Sequence, residues 1–157
     1  MKEVILYTDG ACSYNPGPGG YAAILRYRNV ERVITGGEAE TTNNRMELLA
    51  VIVGLKALKE PCSVTVYSDS AYVVNAFEMG WLNSWANNGW RTADKKEVKN
   101  VELWRELYDL CGSHLIKFNK VKGHAGDELN NRCDALARAE ISKFTPSVPT
   151  GSRSTEG

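Results

Sequence analysis

Four acidic residues stand at positions from which their carboxylates could meet, although they are far apart along the chain. They are Asp9, Glu47, Asp69 and Asp134. Carboxylates that share a cleft repel each other, and the repulsion between two of them at ~4 Å costs about 4 kcal/mol at an intermediate dielectric. A hard divalent cation removes this repulsion, and ligand sets made only of oxygen suit Mg²⁺ or Mn²⁺ better than zinc. The residue types therefore indicate metal-assisted phosphoryl chemistry, in which paired cations activate a water and stabilise the leaving oxygen.

Each of these acids also has an ordinary structural interpretation. Glu47 could complete a capping box with Asn44, three residues earlier. Asp9–Gly10 and Asp69–Ser70 could be simple turns at strand ends. Asp134 could be a solvent-exposed helix residue. Taken singly these interpretations are favoured, and only the joint placement of the four acids at one edge of a sheet favours a shared site.

The first elements that would position the acids are three strands. Residues 3–8 are β-branched and apolar and predict a buried strand that ends at Asp9. The Gly- and Pro-rich segment 12–20 predicts a loop. Residues 21–28 and 31–35 predict two further strands joined by a short turn. We expect the three strands to form an antiparallel meander.

The rest of the chain alternates helices with strands. Apolar residues recur at helical spacing over residues 46–58, with Asn or Thr in front as the N-cap and Pro61 behind as the stop. A strand over 63–68 then leads into Asp69, and the intervening helix favours parallel pairing with the first strand. Further helices are predicted over 70–79, 81–90, 101–111 (capped by Asn100) and 128–144, and a last strand over 115–121. The predicted fold is α/β, a five-stranded mixed sheet with helices on both faces.

The size and composition of the chain set further limits. We expect one domain over residues 1–144 and a disordered tail, rich in Pro, Ser and Thr, over 145–157. Nineteen basic and nineteen acidic residues give no net charge, which by itself does not indicate a nucleic-acid partner. The four cysteines form no CxxC pair, and no apolar run suits a signal peptide or a membrane span. The sequence therefore predicts a cytoplasmic protein with reduced thiols.

Five segments identify a more specific relationship. They are YTDGACSYNPGPGGYAAIL (7–25), TTNNRMELLA (41–50), YSDSAYV (67–73), GWRTADKKEVKNVELW (89–104) and VKGHAGDELNNRCDALA (121–137). In this order they resemble the bacterial type 1 ribonuclease H family over about residues 1–144. The resemblance implies a ribonuclease H-like fold and a monomeric endonuclease that cuts the RNA strand of RNA–DNA hybrids, leaving 5′-phosphate and 3′-hydroxyl ends. It also implies that the four acids bind Mg²⁺, for which Mn²⁺ could substitute.

The same resemblance assigns further residues to catalysis and to the hybrid. His124 matches a mobile histidine that moves protons or helps product release, although a histidine in a Gly-rich loop can equally be an ordinary surface residue. Loop and cap residues that match hybrid contacts are Cys12, Asn15, Thr42, Asn43 and Asn44. Of these, Asn15 and Thr42 match a pocket for a phosphate of the DNA strand. Without the family, the asparagines would be interpreted as turn and cap residues.

Residues 81–99 resemble the basic protrusion of the family, which binds the backbone of the hybrid. The substrate contacts expected there are Trp81, Lys95, Lys96 and Lys99, while Trp85 and Trp90 are expected in the core. The chain departs from the family pattern in this region and in the segment just after Asp69. Ala86, Asn87 and Asn88 replace the usual Lys/Arg run, Ala71 replaces an amide side chain, and one residue is added between Asp69 and Trp81. These changes predict weaker affinity for the hybrid or activity that depends more on low salt.

Two alternative functions remain open at this stage. A hybrid-binding module without catalysis would need an incomplete carboxylate set, and this chain has all four acids. Another nuclease of the same fold would act on duplex DNA, and a panel of substrates would separate it from a ribonuclease.

Overall fold

Five strands form the central sheet of the computed structural model, which describes residues 1–121 and 128–144. They are β1 (Lys2–Cys12), β2 (Gly17–Tyr27), β3 (Val30–Thr41), β4 (Cys62–Ser68) and β5 (Leu115–Lys120), in the spatial order β3-β2-β1-β4-β5. β2 pairs antiparallel with both β1 and β3, whereas β4 runs parallel to both β1 and β5. The predicted meander with two added parallel strands is confirmed.

Helices cover both faces of this sheet, as predicted. They are α1 (Asn43–Lys56), α2 (Ala71–Glu78), α3 (Trp81–Asn87), α4 (Val101–Cys111) and α5 (Glu128–Ile141). Among the helices that the structure describes, only α5 packs on one face, where Cys133 and Ala137 meet Ala22 and Ile24 of β2. The other helices share the larger core on the opposite face, centred on the fully buried Trp104. A sheet between two apolar layers explains why the middle of β2, from Ala22 to Leu25, is buried on both sides.

β1 is longer than the sequence predicts, so Asp9 lies inside the strand and not at its end. Parallel pairing of β1 with β4 stops at Tyr7, which faces Tyr67, but antiparallel pairing with β2 continues to Cys12. The prediction was wrong because Asp-Gly is a common turn sequence, while here the neighbouring strand keeps the backbone extended. Asp9 still lies just beyond the carboxyl edge of β4.

The Gly- and Pro-rich segment is a loop only over residues 13–16, because β2 already begins at Gly17. The predicted loop over 12–20 was therefore too long. Gly20 lies in β2, and α5 packs tightly against it there. A Cβ at this position would overlap the carbonyl oxygen of Ala137. Glycine in this strand permits close approach of a helix.

Several helix ends differ from the predicted ones. Thr42 is the N-cap of α1, and its Oγ1 accepts a hydrogen bond from the Arg45 N–H at 3.2 Å. α1 ends at Lys56, before Pro61, and α3 ends at Asn87. Asn100 precedes α4 as predicted but makes no side-chain cap; its backbone is left-handed (φ 58°) and its Nδ2 donates to the Tyr72 hydroxyl. Tertiary contacts thus decide how these polar residues are used.

The remaining predictions on the chain as a whole concern its thiols, its tail and membranes. None of the four cysteines, all of which lie within the described residues, forms a disulfide bond. No helix within the described residues is long and apolar enough to cross a membrane. The predicted tail over 145–157 lies outside the described residues.

Candidate active site

Three carboxylates converge at the sheet edge where the pairing of β1 with β4 ends. One oxygen from each of Asp9, Glu47 and Asp69 lies within 4.8 Å of the other two. Asp9 is only 6% exposed, and the other two side chains are partly buried. They come from the middle of β1, the first turns of α1 and the end of β4. The predicted meeting of these three acids is therefore seen in the structure.

Gly10 and Ser70 hold Glu47 in this group. A Cβ on Gly10 would overlap the backbone of Met46 and Glu47, so glycine lets α1 pack directly on β1 beside Asp9. The Ser70 hydroxyl donates to Glu47 Oε1 at 3.0 Å. Because Thr42 is the N-cap of α1, the alternative interpretation of Glu47 as a capping-box residue with Asn44 is excluded.

Asp134 lines the same cleft as the three converging acids but is held differently. It lies on α5, and its two carboxylate oxygens accept from Arg138 Nε at 3.1 and 3.0 Å. The cleft, of about 600 Å³, is lined by all four acids and by Arg138. Sequence reasoning missed Arg138, although its i,i+4 spacing from Asp134 was a usable signal.

Burial and mutual repulsion raise the pKa values of three carboxylates in the cleft. Burial, followed by the nearby carboxylates of Asp69 and Asp134, raises the pKa of Asp9 to about 8. Burial, reinforced by Asp69, raises the pKa of Glu47 to about 7. Burial also raises the pKa of Asp69, whose Oδ1 is buried without a hydrogen-bond partner among the described residues. An all-oxygen cluster with these properties suits a hard divalent cation.

The protein without divalent cations is expected to lose stability as the pH rises. Asp9 and Glu47 keep protons in the folded state that the unfolded chain releases near pH ~4. Their contribution to the free energy of unfolding is complete below that pH and is lost as the pH passes about 7 and about 8. Since a cation binds the ionised forms, the rise in melting temperature on adding MgCl₂ should be larger at about pH 8 than at about pH 5. Thermal melts with MgCl₂ or EDTA measure this, and a rise independent of pH would contradict it.

The loop and cap residues expected to contact substrate lie on the rim of the cleft. Cys12 and Asn43 line it. Asn15 Oδ1 accepts a hydrogen bond from the Asn43 N–H at 3.0 Å, which joins the loop to the start of α1. Thr42 is occupied as the helix cap, and Asn44 is exposed beside it. The structure thus brings all five of the predicted rim residues together near the carboxylates or in the adjoining turn.

The residues expected in the basic protrusion form a separate surface that does not line the cleft. Trp81 is 42% exposed. Trp85 and Trp90 pack against the main core, as predicted. The three lysines Lys95, Lys96 and Lys99 are exposed in and beside the turn closed by the bridge between Arg91 and Glu97. His124 lies outside the described residues.

The chain matches known proteins over nearly its whole length. The RNase H family model matches residues 1–142. The Ribonuclease H of Caldicellulosiruptor saccharolyticus is 59% identical over 144 residues, which is 92% of this chain and 99% of that protein. The Ribonuclease H of Acetivibrio thermocellus is 59% identical over 143 residues, covering 91% and 97%.

Solved structures share the same architecture. LC9-RNase H1, described as a type 1 RNase H with the type 2 active-site motif, superposes with a TM-score of 0.81 at 30% identity, covering 94% of this chain and 75% of that one. LC11-RNase H1, solved in complex with an RNA/DNA hybrid, gives a TM-score of 0.69 at 24% identity, covering 89% and 97%. The second likeness supports the fold alone.

Proposed function

The chain belongs to the ribonuclease H family and is an endonuclease of RNA–DNA hybrids, and we propose that the four carboxylates of the cleft form its catalytic centre. The observation that carries this proposal is the convergence of Asp9, Glu47 and Asp69 within 4.8 Å. Asp134 completes the centre from α5, across the same cleft. Substrate would enter the cleft that these acids line, beyond the carboxyl end of β4.

The residues present fit divalent cations, and we propose Mg²⁺ as the physiological ion with Mn²⁺ as a substitute. All the donors are carboxylate oxygens, which suit these ions. A bound cation would relieve two features: the buried Oδ1 of Asp69, which has no hydrogen-bond partner within the described part of the chain, and the raised pKa of Asp9. When bound, the cations supply a polarised water and stabilise the leaving oxygen of a phosphodiester.

The proposed reaction is hydrolysis of a phosphodiester bond. In-line attack of water at phosphorus, on the RNA strand, breaks the bond to the 3′ oxygen and leaves 5′-phosphate and 3′-hydroxyl ends. Asp9 holds the centre of the site because it is the most buried of the acids. We propose His124, outside the described residues, for moving a proton or for releasing product, since histidine titrates near neutral pH.

Selection of a hybrid is proposed to come from the rim of the cleft. Asn15 and Asn43 are joined by a hydrogen bond, so the loop and the helix would contact the hybrid as one unit. Polar side chains such as Asn43 and Asn44 can read 2′-hydroxyls across the wide minor groove. Cys12 belongs to the same wall. The start of α1, capped by Thr42, suits a phosphate of the DNA strand.

The basic protrusion is proposed as a second contact with the hybrid backbone, through Trp81 and the three exposed lysines Lys95, Lys96 and Lys99. It lies apart from the carboxylates, so it would affect affinity more than the chemical step. We further propose that the protein acts as a monomer in the cytoplasm, as the family resemblance implies.

Restoring positive charge to the protrusion is expected to strengthen binding. The double substitution Asn87→Lys with Asn88→Lys changes two exposed residues, and each new phosphate contact should steepen the salt dependence by about 0.9 in log K against log salt. Fluorescence anisotropy with labelled hybrid, in an Asp9→Asn background to prevent cleavage, measures both quantities. Asn87→Gln with Asn88→Gln is the matched control and should behave as the parent. Equal slopes for the lysine and glutamine pairs would contradict a role for this surface.

A substrate panel tests the proposed function directly. Labelled RNA–DNA hybrid, RNA–RNA duplex and DNA–DNA duplex are incubated with MgCl₂, MnCl₂ or EDTA. We expect cleavage of the RNA strand of the hybrid with either cation and none with EDTA. Equal cleavage in EDTA would reject the metal centre, hybrid binding without cleavage would indicate a binding module, and cleavage of duplex DNA would indicate a different nuclease.

A further inference from the structure

Ser70 makes four hydrogen bonds at the junction between β4 and α2, one of which its carbonyl oxygen accepts from the Val74 N–H at 3.0 Å. Its hydroxyl accepts a hydrogen bond from the Val73 N–H at 3.2 Å, which caps α2, and donates to Glu47 Oε1 at 3.0 Å. Its own N–H donates to Ser68 Oγ at 3.1 Å. Ser70 is 3% exposed and does not line the cleft. It therefore contacts a site carboxylate from behind and would not touch the substrate.

The direction of the Ser70 hydroxyl is set by these partners. A serine hydroxyl carries one proton and two lone pairs. Because a lone pair accepts from Val73, the proton can point at Glu47, and a hydrogen bond to an ionised acceptor is stronger than a neutral one. The bond engages one lone pair of Oε1 and leaves the other lone pairs of the Glu47 carboxylate for a cation. A buried donor of this kind restricts the rotation of a carboxylate on the first turns of a helix.

The same serine also helps to form the turn that carries a second carboxylate of the site, that of Asp69. Ser68 and Ser70 flank Asp69, and the bond between them closes the turn from which the Asp69 carboxylate projects. Both serines are buried, at 2% and 3% exposure. The short segment Ser68–Asp69–Ser70 thus supplies one acid of the site, Asp69, and orients another, Glu47, which belongs to α1.

We propose that Ser70 is a positioning residue of the metal centre, which holds Glu47 in the orientation that binds a divalent cation. This inference rests on the proposed function, because it assumes that Glu47 is a ligand. Partners that orient metal ligands typically change metal affinity or activity by about 10- to 100-fold when they are removed. The same loss is expected here when the hydroxyl is removed.

The test is the affinity of the free protein for Mn²⁺ and Mg²⁺, measured by isothermal titration calorimetry. Ser70→Gly removes the donor but keeps a residue that helix N-caps accept well. We expect the dissociation constant to rise by about 10-fold or more. Ser70→Thr keeps the hydroxyl and should restore affinity close to that of the parent. Thermal melts of each variant establish that it is folded.

A matched control separates orientation of Glu47 from a general effect on α2. Ala71→Gly changes the next residue, which is exposed, and weakens the same helix without touching the Ser70 hydroxyl. Its cation affinity should equal that of the parent. The inference is overturned if Ser70→Gly binds cations as the parent does, or if Ala71→Gly loses as much affinity. If the parent protein itself binds no divalent cation, the proposed metal centre fails, which is a different result.

Discussion

Asp9→Asn is expected to lower the rate of hybrid cleavage by about 10³-fold or more, while the protein stays folded. The substitution removes a negative ligand from the centre of the site, where electrostatic stabilisation by a cation contributes several kcal/mol to the reaction. The fold should survive because asparagine has nearly the same shape and its Oδ1 can still accept the hydrogen bond from the Gly10 N–H, which is 2.9 Å long in the parent. Cleavage rates with saturating MgCl₂, together with circular dichroism, measure both effects.

The same variant should be more stable than the parent when no divalent cation is present. Burial raises the pKa of Asp9 to about 8, whereas an aspartate in the unfolded chain titrates near ~3.9. The parent therefore loses the contribution of Asp9 to stability as the pH rises between these values, whereas the variant retains the smaller loss from Glu47. In EDTA, urea denaturation should show a larger free energy of unfolding for Asp9→Asn at about pH 8 and nearly equal values near pH ~4.

Asp109→Asn provides the control for both results. Asp109 is an exposed acid on α4, outside the cleft, and its replacement should change neither cleavage nor the pH dependence of stability. An Asp9→Asn protein with cleavage equal to that of Asp109→Asn would contradict the proposed site. Equal stability of the two variants in EDTA at about pH 8 would contradict the conclusion that burial, together with repulsion from the nearby carboxylates, raises the pKa of Asp9.

The overall architecture could be predicted because periodicity and strand order depend on local sequence. Runs of β-branched and apolar residues indicated the strands, and the helix between the meander and β4 implied the parallel crossover. The errors lie where distant contacts override local preference. Asp9–Gly10 has the composition of a turn but is paired with β2, and Gly20 has the composition of a loop but lies against α5. Asn100 has the composition of a cap but bonds to Tyr72.

The meeting of the acids could be predicted from the sequence, but the residues that hold them in place could not. Acids that follow strands could be placed at one edge from topology alone. The partner of Asp134, Arg138, and the partner of Glu47, Ser70, depend on side-chain directions that a sequence pattern does not contain. The close approach of α1 to β1 at Gly10 is equally invisible, because one glycine among several gives no sign of what packs on it.

Gly10→Ala is expected to impair the site and the fold together. A Cβ at this position would overlap the backbone of Met46 and Glu47, which cannot move aside as a flexible side chain can. The start of α1 must therefore shift away from β1. Overpacking of this kind typically lowers the free energy of unfolding by about 1–3 kcal/mol. Urea denaturation of the variant and the parent measures this loss.

Because Asp9 and Glu47 sit on the two elements that Gly10 brings together, the same shift should separate their carboxylates. A displacement of about 1 Å in a catalytic group can reduce the rate by ~10²-fold, so the loss of cleavage should exceed what the loss of stability explains at temperatures where the variant is folded. Gly112→Ala is the matched control: Gly112 has φ −72° at the end of α4, and a Cβ there would meet only the Asp109 carbonyl oxygen at 3.3 Å. That variant should keep both activity and stability. If Gly10→Ala cleaves as fast as Gly112→Ala, the packing of α1 on β1 does not set the distance between the two carboxylates.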